Sequence, residues 1–128
     1  PELKQNGEGL MHWLFNQQGS VYGFKNVFWS GVTTLELSKV IHYSIENNIS
    51  GLWNVTNGEA ISKHDLLEKI IKVFSLSNIK LESYTDKFSD KSLKSIREIN
   101  YKVPTYNLML QELYKYFNNN RDLYNYYG

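Results

Sequence analysis

An α/β fold in a single domain is what this sequence predicts, and three observations predict it. Segments rich in β-branched and aromatic residues take turns with segments whose apolar residues recur at helical spacing. The boundaries between them carry Ser or Thr in capping positions and short Gly- or Asn-containing turns, and no long linker intervenes. Finally, 128 residues with 41% hydrophobic and 15% aromatic side chains suffice for one real core. The expected architecture is a small, three-layer-like arrangement of short strands and about four helices, spanning residues 1–128 as one unit.

The elements follow in order. Pro1 to Gly9 is a polar loop. Leu10, Trp13, Leu14 and Gln17 then predict a helix over 10–18, with Gly19 at its C-terminal cap. His12 reads there as a solvated or satisfied side chain. Trp13 reads first as a core anchor and second as a stacking platform. Val21 to Trp29 predicts one or two short strands, with Gly23 marking a bulge or a close backbone approach. From Phe28 to Ile45 the chain reads as a strand end, a tight turn at Ser30-Gly31 and a helix over 34–46. Thr33 and Glu36 have capping-box spacing, the threonine accepting from the N3 amide and the glutamate returning to the N-cap amide. Leu37, Val40, Ile41, Ser44 and Ile45 make the stripe expected to be buried. A strand delivering a capped helix N-terminus suits an anion or a sugar hydroxyl, and an ordinary structural helix accounts for the same pattern.

Gly51 to Val55 (GLWNV) predicts a compact strand ended by Thr56-Asn57-Gly58. Ser62 caps the next helix with Asp65 at N3. Leu66, Leu67, Ile70, Ile71 and Phe74 form its buried face, and His64 is expected at the surface. Ile79 to Tyr84 alternates as a half-buried strand should. Thr85 to Asn100 is polar. It reads as a solvated loop leading to a short helix over 93–99, or as a phosphate-contacting loop using Lys91, Ser92 and Arg97. Asp86 and Asp90 lack the framework of a cation site. Thr105 caps a last helix packed through Tyr106, Met109, Leu110, Leu113 and Phe117, and the tail from Asn118 is expected to fray.

Composition excludes several functions. Fourteen basic against thirteen acidic residues, interspersed, give a net charge of +1 and no field to draw nucleic acid or a membrane surface. Without cysteine there is no disulfide, thiolate chemistry or cysteine-based metal site, which suits a reducing cytoplasm, the expected location. No signal-peptide pattern or membrane-length apolar run is present. There is no GxGxxG after a strand, no P-loop, no HExxH, no GxSxG elbow and no tyrosine followed four residues later by lysine. The residues themselves supply no catalytic centre and no metal site. They supply parts suited to binding.

Several segments together resemble one family. MHWLFNQQGSVYGFKNVFWSGVTTLELSKVI, GLWNV, ISKHDLLEKIIKVF, DKSLKS and YKVPTY are similar in order and spacing to the C-terminal half of extended short-chain dehydrogenase/reductases, in the branch of dTDP-4-dehydrorhamnose reductase and related sugar-nucleotide reductases. The resemblance covers Glu2 to Phe117. It implies the substrate-binding part of an enzyme whose N-terminal Rossmann domain binds NAD(P) and carries the catalytic Tyr/Lys pair, so that this chain alone holds no cofactor and does not turn over. It implies a nucleotide-sugar substrate, with Trp13, Thr33, Lys91, Ser92 and Arg97 as the substrate contacts. Lys91 stands where relatives often carry arginine, keeping the charge and losing the bidentate fork. In the family, GLWNV resembles a strand joining the edge of the larger sheet. Without that neighbour, Leu52, Trp53 and Val55 would be exposed and self-association is expected. The alternatives are a non-catalytic binding or regulatory subunit of the same superfamily, or a small protein-interaction domain sharing the layout.

Overall fold

A computed structural model describes residues 8–127. Its elements are α1 (Leu10–Phe15), β1 (Gly19–Phe24), β2 (Val27–Trp29), α2 (Thr34–Glu46), β3 (Ile61–Ser62), α3 (Lys63–Phe74), β4 (Ile79–Tyr84), β5 (Ser89–Lys91), α4 (Tyr106–Asn119) and a 3₁₀ segment, Arg121–Tyr127. β1 pairs in parallel with β4, from Gly19 opposite Ile79 to Phe24 opposite Tyr84. β2 pairs in parallel with β5 and antiparallel with β3. Lys25 N–H donates to the Tyr84 carbonyl and Ser89 N–H to that of Asn26, so the two sheets form one kinked pair of parallel tracks. Parallel neighbours need a crossover, and α3 lies in it.

The layers follow from which helical faces are apolar. α3 packs on β1 and β4 on one side and on α4 on the other. Leu66, Leu67 and Ile70 of α3 meet Tyr106, Met109, Leu110 and Leu113 of α4, while Met11 and Leu14 of α1 and Val21 of β1 join the same core. Each of the three long helices starts as its sequence dictates: Thr33, Ser62 and Thr105 are extended N-caps whose hydroxyls accept the amides of Glu36, Asp65 and Leu108.

Several expectations are corrected. α1 stops at Phe15 because Asn16 and Gln17 turn their side-chain amides onto the carbonyls of His12 and Trp13. Gly19, at φ +73°, opens β1 and caps nothing. The reciprocal half of the capping box does not form, since the Glu36 carboxylate takes a 2.7 Å hydrogen bond from the Tyr101 hydroxyl. Only Val40 of the apolar stripe on α2 is buried; Leu37, Ile41 and Ile45 are exposed. Residues 51–55 have no strand partner among the described residues and form no ladder. His64 is buried, its Nδ1 bonded to Asp65 Oδ1 at 3.1 Å and its Nε2 to Ser83 Oγ at 3.2 Å, so it straps α3 to β4.

Residues 93–99 form no helix. Ser30 Oγ accepts from Leu93 N–H and donates to its carbonyl, and Leu93 and Ile96 stay exposed, so no apolar face rewards coiling. The tail, as far as Tyr127, packs on the core rather than fraying: the Tyr124 ring lies tilted against Phe117 and that of Tyr127 against Phe15, with its hydroxyl bonded to His12 Nδ1.

Candidate functional site

Two adjoining hollows open where α1, the strands and the N-termini of α2 and α3 converge. The first, about 590 Å³, is lined by Trp13, Tyr22, Phe24 and Leu67 among others. The second, about 440 Å³, lies between Gly9, Trp29, Thr34, Leu66 and Lys91. Leu10 and Lys63 line both, so they form one bent groove with a lysine at the bend. Its walls are mostly apolar and its cations come from separate elements, Lys63 from the first residue of α3 and Lys91 from the end of β5.

The local sequence puts these groups there. Ser62 caps α3 and so directs Lys63 to the mouth of the groove, beside the free amides of a helix start. Pairing of Trp29 with Lys91 in the β2–β5 ladder sets Lys91 next to the indole. Among the described residues neither lysine side chain has a hydrogen bond or ion pair. Gly31 is required by the indole: a Cβ there would stand 2.1 Å from Trp29 Cζ2. The turn at Ser30-Gly31 is thus filled by the chain's own ring.

The site residues expected from sequence separate. Trp13 and Lys91 line the groove, with Trp13 40% exposed and so no core anchor. Thr33 does not face it: it is buried, its hydroxyl spent on Glu36 N–H, and its neighbour Thr34 lines the groove instead. Ser92 lines neither hollow; its N–H donates to Asp90 Oδ1 at 2.9 Å, and hydrogen bonds from Ser92 hold that carboxyl below its usual range. Arg97 is committed elsewhere, Nη1 donating to the carbonyls of Ser50 at 2.9 Å and Leu52 at 3.1 Å. Sequence reasoning missed Lys63 and Trp29. The signal was present in Lys63 following a cap residue at the start of a helix.

Beside the groove, a polar cluster ties α2 to α4. Glu36 is 1% exposed, with Oε1 bonded to Tyr101 and Oε2 without a hydrogen-bond partner among the described residues, 3.6 Å from Lys39 Nζ. Lys39 also meets Glu112 at 2.6 Å, and that bond raises its pKa against the effect of burial. Burial and then the Glu36 contact raise the Tyr101 hydroxyl. Among the described residues no three acidic or histidine side chains gather to hold a metal, and no helix is long and apolar enough to cross a membrane.

These layers make a small α/β fold that recurs in part of several larger solved structures. Solved structures that share it include dTDP-4-dehydrorhamnose reductase from Bacillus anthracis in complex with NADP, at a TM-score of 0.66 and 13% identity over 83% of this chain and 41% of that one. dTDP-glucose 4,6-dehydratase from the same organism, in complex with NAD, aligns at 0.56 and 13% identity over 90% of this chain and 40% of that one. GDP-mannoheptose C4 reductase from Campylobacter jejuni with NADP bound aligns at 0.50 and 14% identity, covering 79% and 32%. The chain therefore spans less than half the length of each. No protein-family model matches the sequence. No curated protein matches it either.

Proposed function

We propose that this chain is the substrate-binding part of an NAD(P)-dependent nucleotide-sugar reductase of the dTDP-4-dehydrorhamnose reductase type, acting on a 4-keto-6-deoxy sugar nucleotide. The cofactor and the catalytic Tyr/Lys pair belong, in this reading, to an N-terminal Rossmann domain of the complete protein, working in the cytoplasm. The observation that carries the reading is the bent groove, with an indole in each hollow and two lysines that make no ion pair among the described residues. A nucleoside diphosphate sugar has the matching parts. Its diphosphate takes Lys63 and Lys91, while base and sugar lie against Trp13 and Trp29. This chain holds and orients the substrate, and the fold likeness supports that assignment of roles.

The test is titration of the chain with dTDP-glucose, GDP-mannose and free dTDP, read by calorimetry and tryptophan fluorescence. Saturable binding of at least one nucleotide-sugar is expected, weakened about tenfold or more in Lys63→Ala/Lys91→Ala, since each charge-assisted phosphate contact contributes roughly 1 kcal/mol or more. If no nucleotide-sugar binds at millimolar concentration, or if the double variant binds as well as the parent, the reading is wrong.

A further inference from the structure

A serine, a histidine and an aspartate stand in line where α3 crosses β4. Ser83 Oγ lies 3.2 Å from His64 Nε2, and His64 Nδ1 lies 3.1 Å from Asp65 Oδ1. Asp65 sits in the first turn of α3 with Lys25 Nζ at 3.5 Å. Burial works to raise its carboxyl, but hydrogen bonds from His64 and Ser62 and the Lys25 charge hold it below its ordinary value. An ionised carboxylate only accepts, so the proton of the neutral imidazole belongs on Nδ1. Nε2 is then the acceptor, and the Ser83 hydroxyl donates to it. That hydroxyl has no other partner among the described residues.

The sheet builds this arrangement. Gly23 stands opposite Ser83 in the β1–β4 register, and a Cβ on it would lie 2.8 Å from His64 Cα and 3.0 Å from His64 Cδ2. The missing side chain is what lets the imidazole settle over the strand pair and reach across to Ser83. His64 is 8% exposed, whereas Ser83 is exposed, so the base is shielded and the hydroxyl meets solvent. Gly19 N–H donates to the Asn78 carbonyl and Lys25 N–H to that of Tyr84, so the even-numbered residues of β4 turn their backbone groups to β1. The amide of Ser83 therefore points to the other edge, where no strand pairs with β4 among the described residues.

We propose that Ser83 is a nucleophile, with His64 as its general base and Asp65 as the positioning residue that fixes the imidazole, and that it takes acyl groups from small carboxylic esters. A hydroxyl bonded to a base, and a base bonded to an orienting carboxylate, are the parts such a step needs. As the Ser83 Oγ–carbon bond forms, His64 Nε2 takes the hydroxyl proton, and the free Ser83 amide meets the oxygen that gains charge. The bond from that carbon to the departing oxygen then breaks, and His64 returns the proton to it. Water repeats the two steps to release the acid and restore the serine. An open strand edge offers little to grip a long chain, so the acyl group is a short one such as acetyl. None of the three residues lines the groove, and the inference stands or falls separately from the substrate assignment.

Reaction of the chain with 4-nitrophenyl acetate tests it, read by release of 4-nitrophenolate and by peptide mass spectrometry. Acetylation of Ser83 is expected, with release slowed about a hundredfold in His64→Gln, as for loss of a positioned general base, and at least as much in Ser83→Ala. Asp65→Asn keeps the shape and favours the wrong tautomer, so roughly a tenfold loss or more is expected there. Ser83→Ala alters an exposed side chain only, and circular dichroism confirms the fold of all three variants. Acetyl groups found on lysines and none on Ser83 overturn the proposal. Release as fast as the parent's in Ser83→Ala, or in a folded His64→Gln or Asp65→Asn, overturns it as well and leaves His64 a strap alone.

Discussion

Tyr101→Phe removes one oxygen and leaves a charge without its best partner. The Tyr101 hydroxyl donates to Glu36 Oε1 at 2.7 Å, and the carboxylate it serves is 1% exposed. The other oxygen has only Lys39 Nζ, at 3.6 Å and beyond hydrogen-bond reach. A hydrogen bond to a charged group is worth about 1.5–3 kcal/mol, and stranding a buried carboxylate puts the loss toward the top of that range. The ring contacts of Tyr101 with Tyr43 and Trp53 survive in phenylalanine, so little packing is lost. At about 3–5 °C per kcal/mol for a domain of this size, the variant should melt roughly 8–12 °C lower, with ΔG from urea unfolding reduced by about 2–3 kcal/mol. Glu36→Gln in the Tyr101→Phe background should recover part of the loss, because a neutral amide is cheaper to bury than an orphaned carboxylate. A loss below 0.5 kcal/mol in Tyr101→Phe, or strict additivity of the two substitutions, would refute the reasoning.

Gly31→Ala must displace the Trp29 indole, whose Cζ2 would lie 2.1 Å from the new methyl, so a stability loss of about 1–3 kcal/mol and an altered tryptophan emission spectrum are expected. His64→Ala cuts the strap to Ser83, and amide exchange in β4 should accelerate while that in α4 changes little; uniform acceleration would show a global effect instead. The pH profile has two flanks. Burial raises Asp65, but hydrogen bonds from His64 and Ser62 and the Lys25 charge outweigh it and hold the carboxyl below its ordinary 3.8, so this stabilisation is complete above that value and is lost as pH falls through the depressed one. The Glu112 bond raises Lys39, burial raises Tyr101, and burial pushes Tyr106 up to about 12. Their contributions are complete below pH 10 and disappear as pH rises through the raised values, so Tm should begin to fall above about pH 10 and fall less steeply in Tyr101→Phe.

Much of the fold was legible because it is local. Each of the three N-caps is a rule about residues three apart, and the core faces of α3 and α4 are rules about residues three and four apart. What failed depended on distant partners. His64 looked like a surface residue because Ser83, which fixes it, lies nineteen positions on. β5 is Ser-Asp-Lys, a strand only because Val27–Trp29 lies beside it. The stripe on α2 was read correctly as apolar, but periodicity cannot say what covers a face. Of the residues named for substrate contact through the resemblance, Trp13 and Lys91 line the groove and Arg97 lies away from it on backbone carbonyls, because a guanidinium suits a carbonyl as well as a phosphate and the sequence does not say which is nearer.

The paired tracks of strands also set how this chain can fold. Gly19 lies opposite Ile79 and Trp29 opposite Lys91, so every parallel contact closes a loop of about sixty residues. Closing such a loop costs several kcal/mol of chain entropy before any ladder bond repays it. α3 shortens that span by roughly a tenth of its extended reach once formed and offers apolar surface to both tracks. Docking of the second track is therefore the slow event, arriving late and all at once. A ribosome must have released the chain past Tyr84 before the first parallel track is complete and past Lys91 before the second is, and until then the open strand edges are the chain's exposure to aggregation.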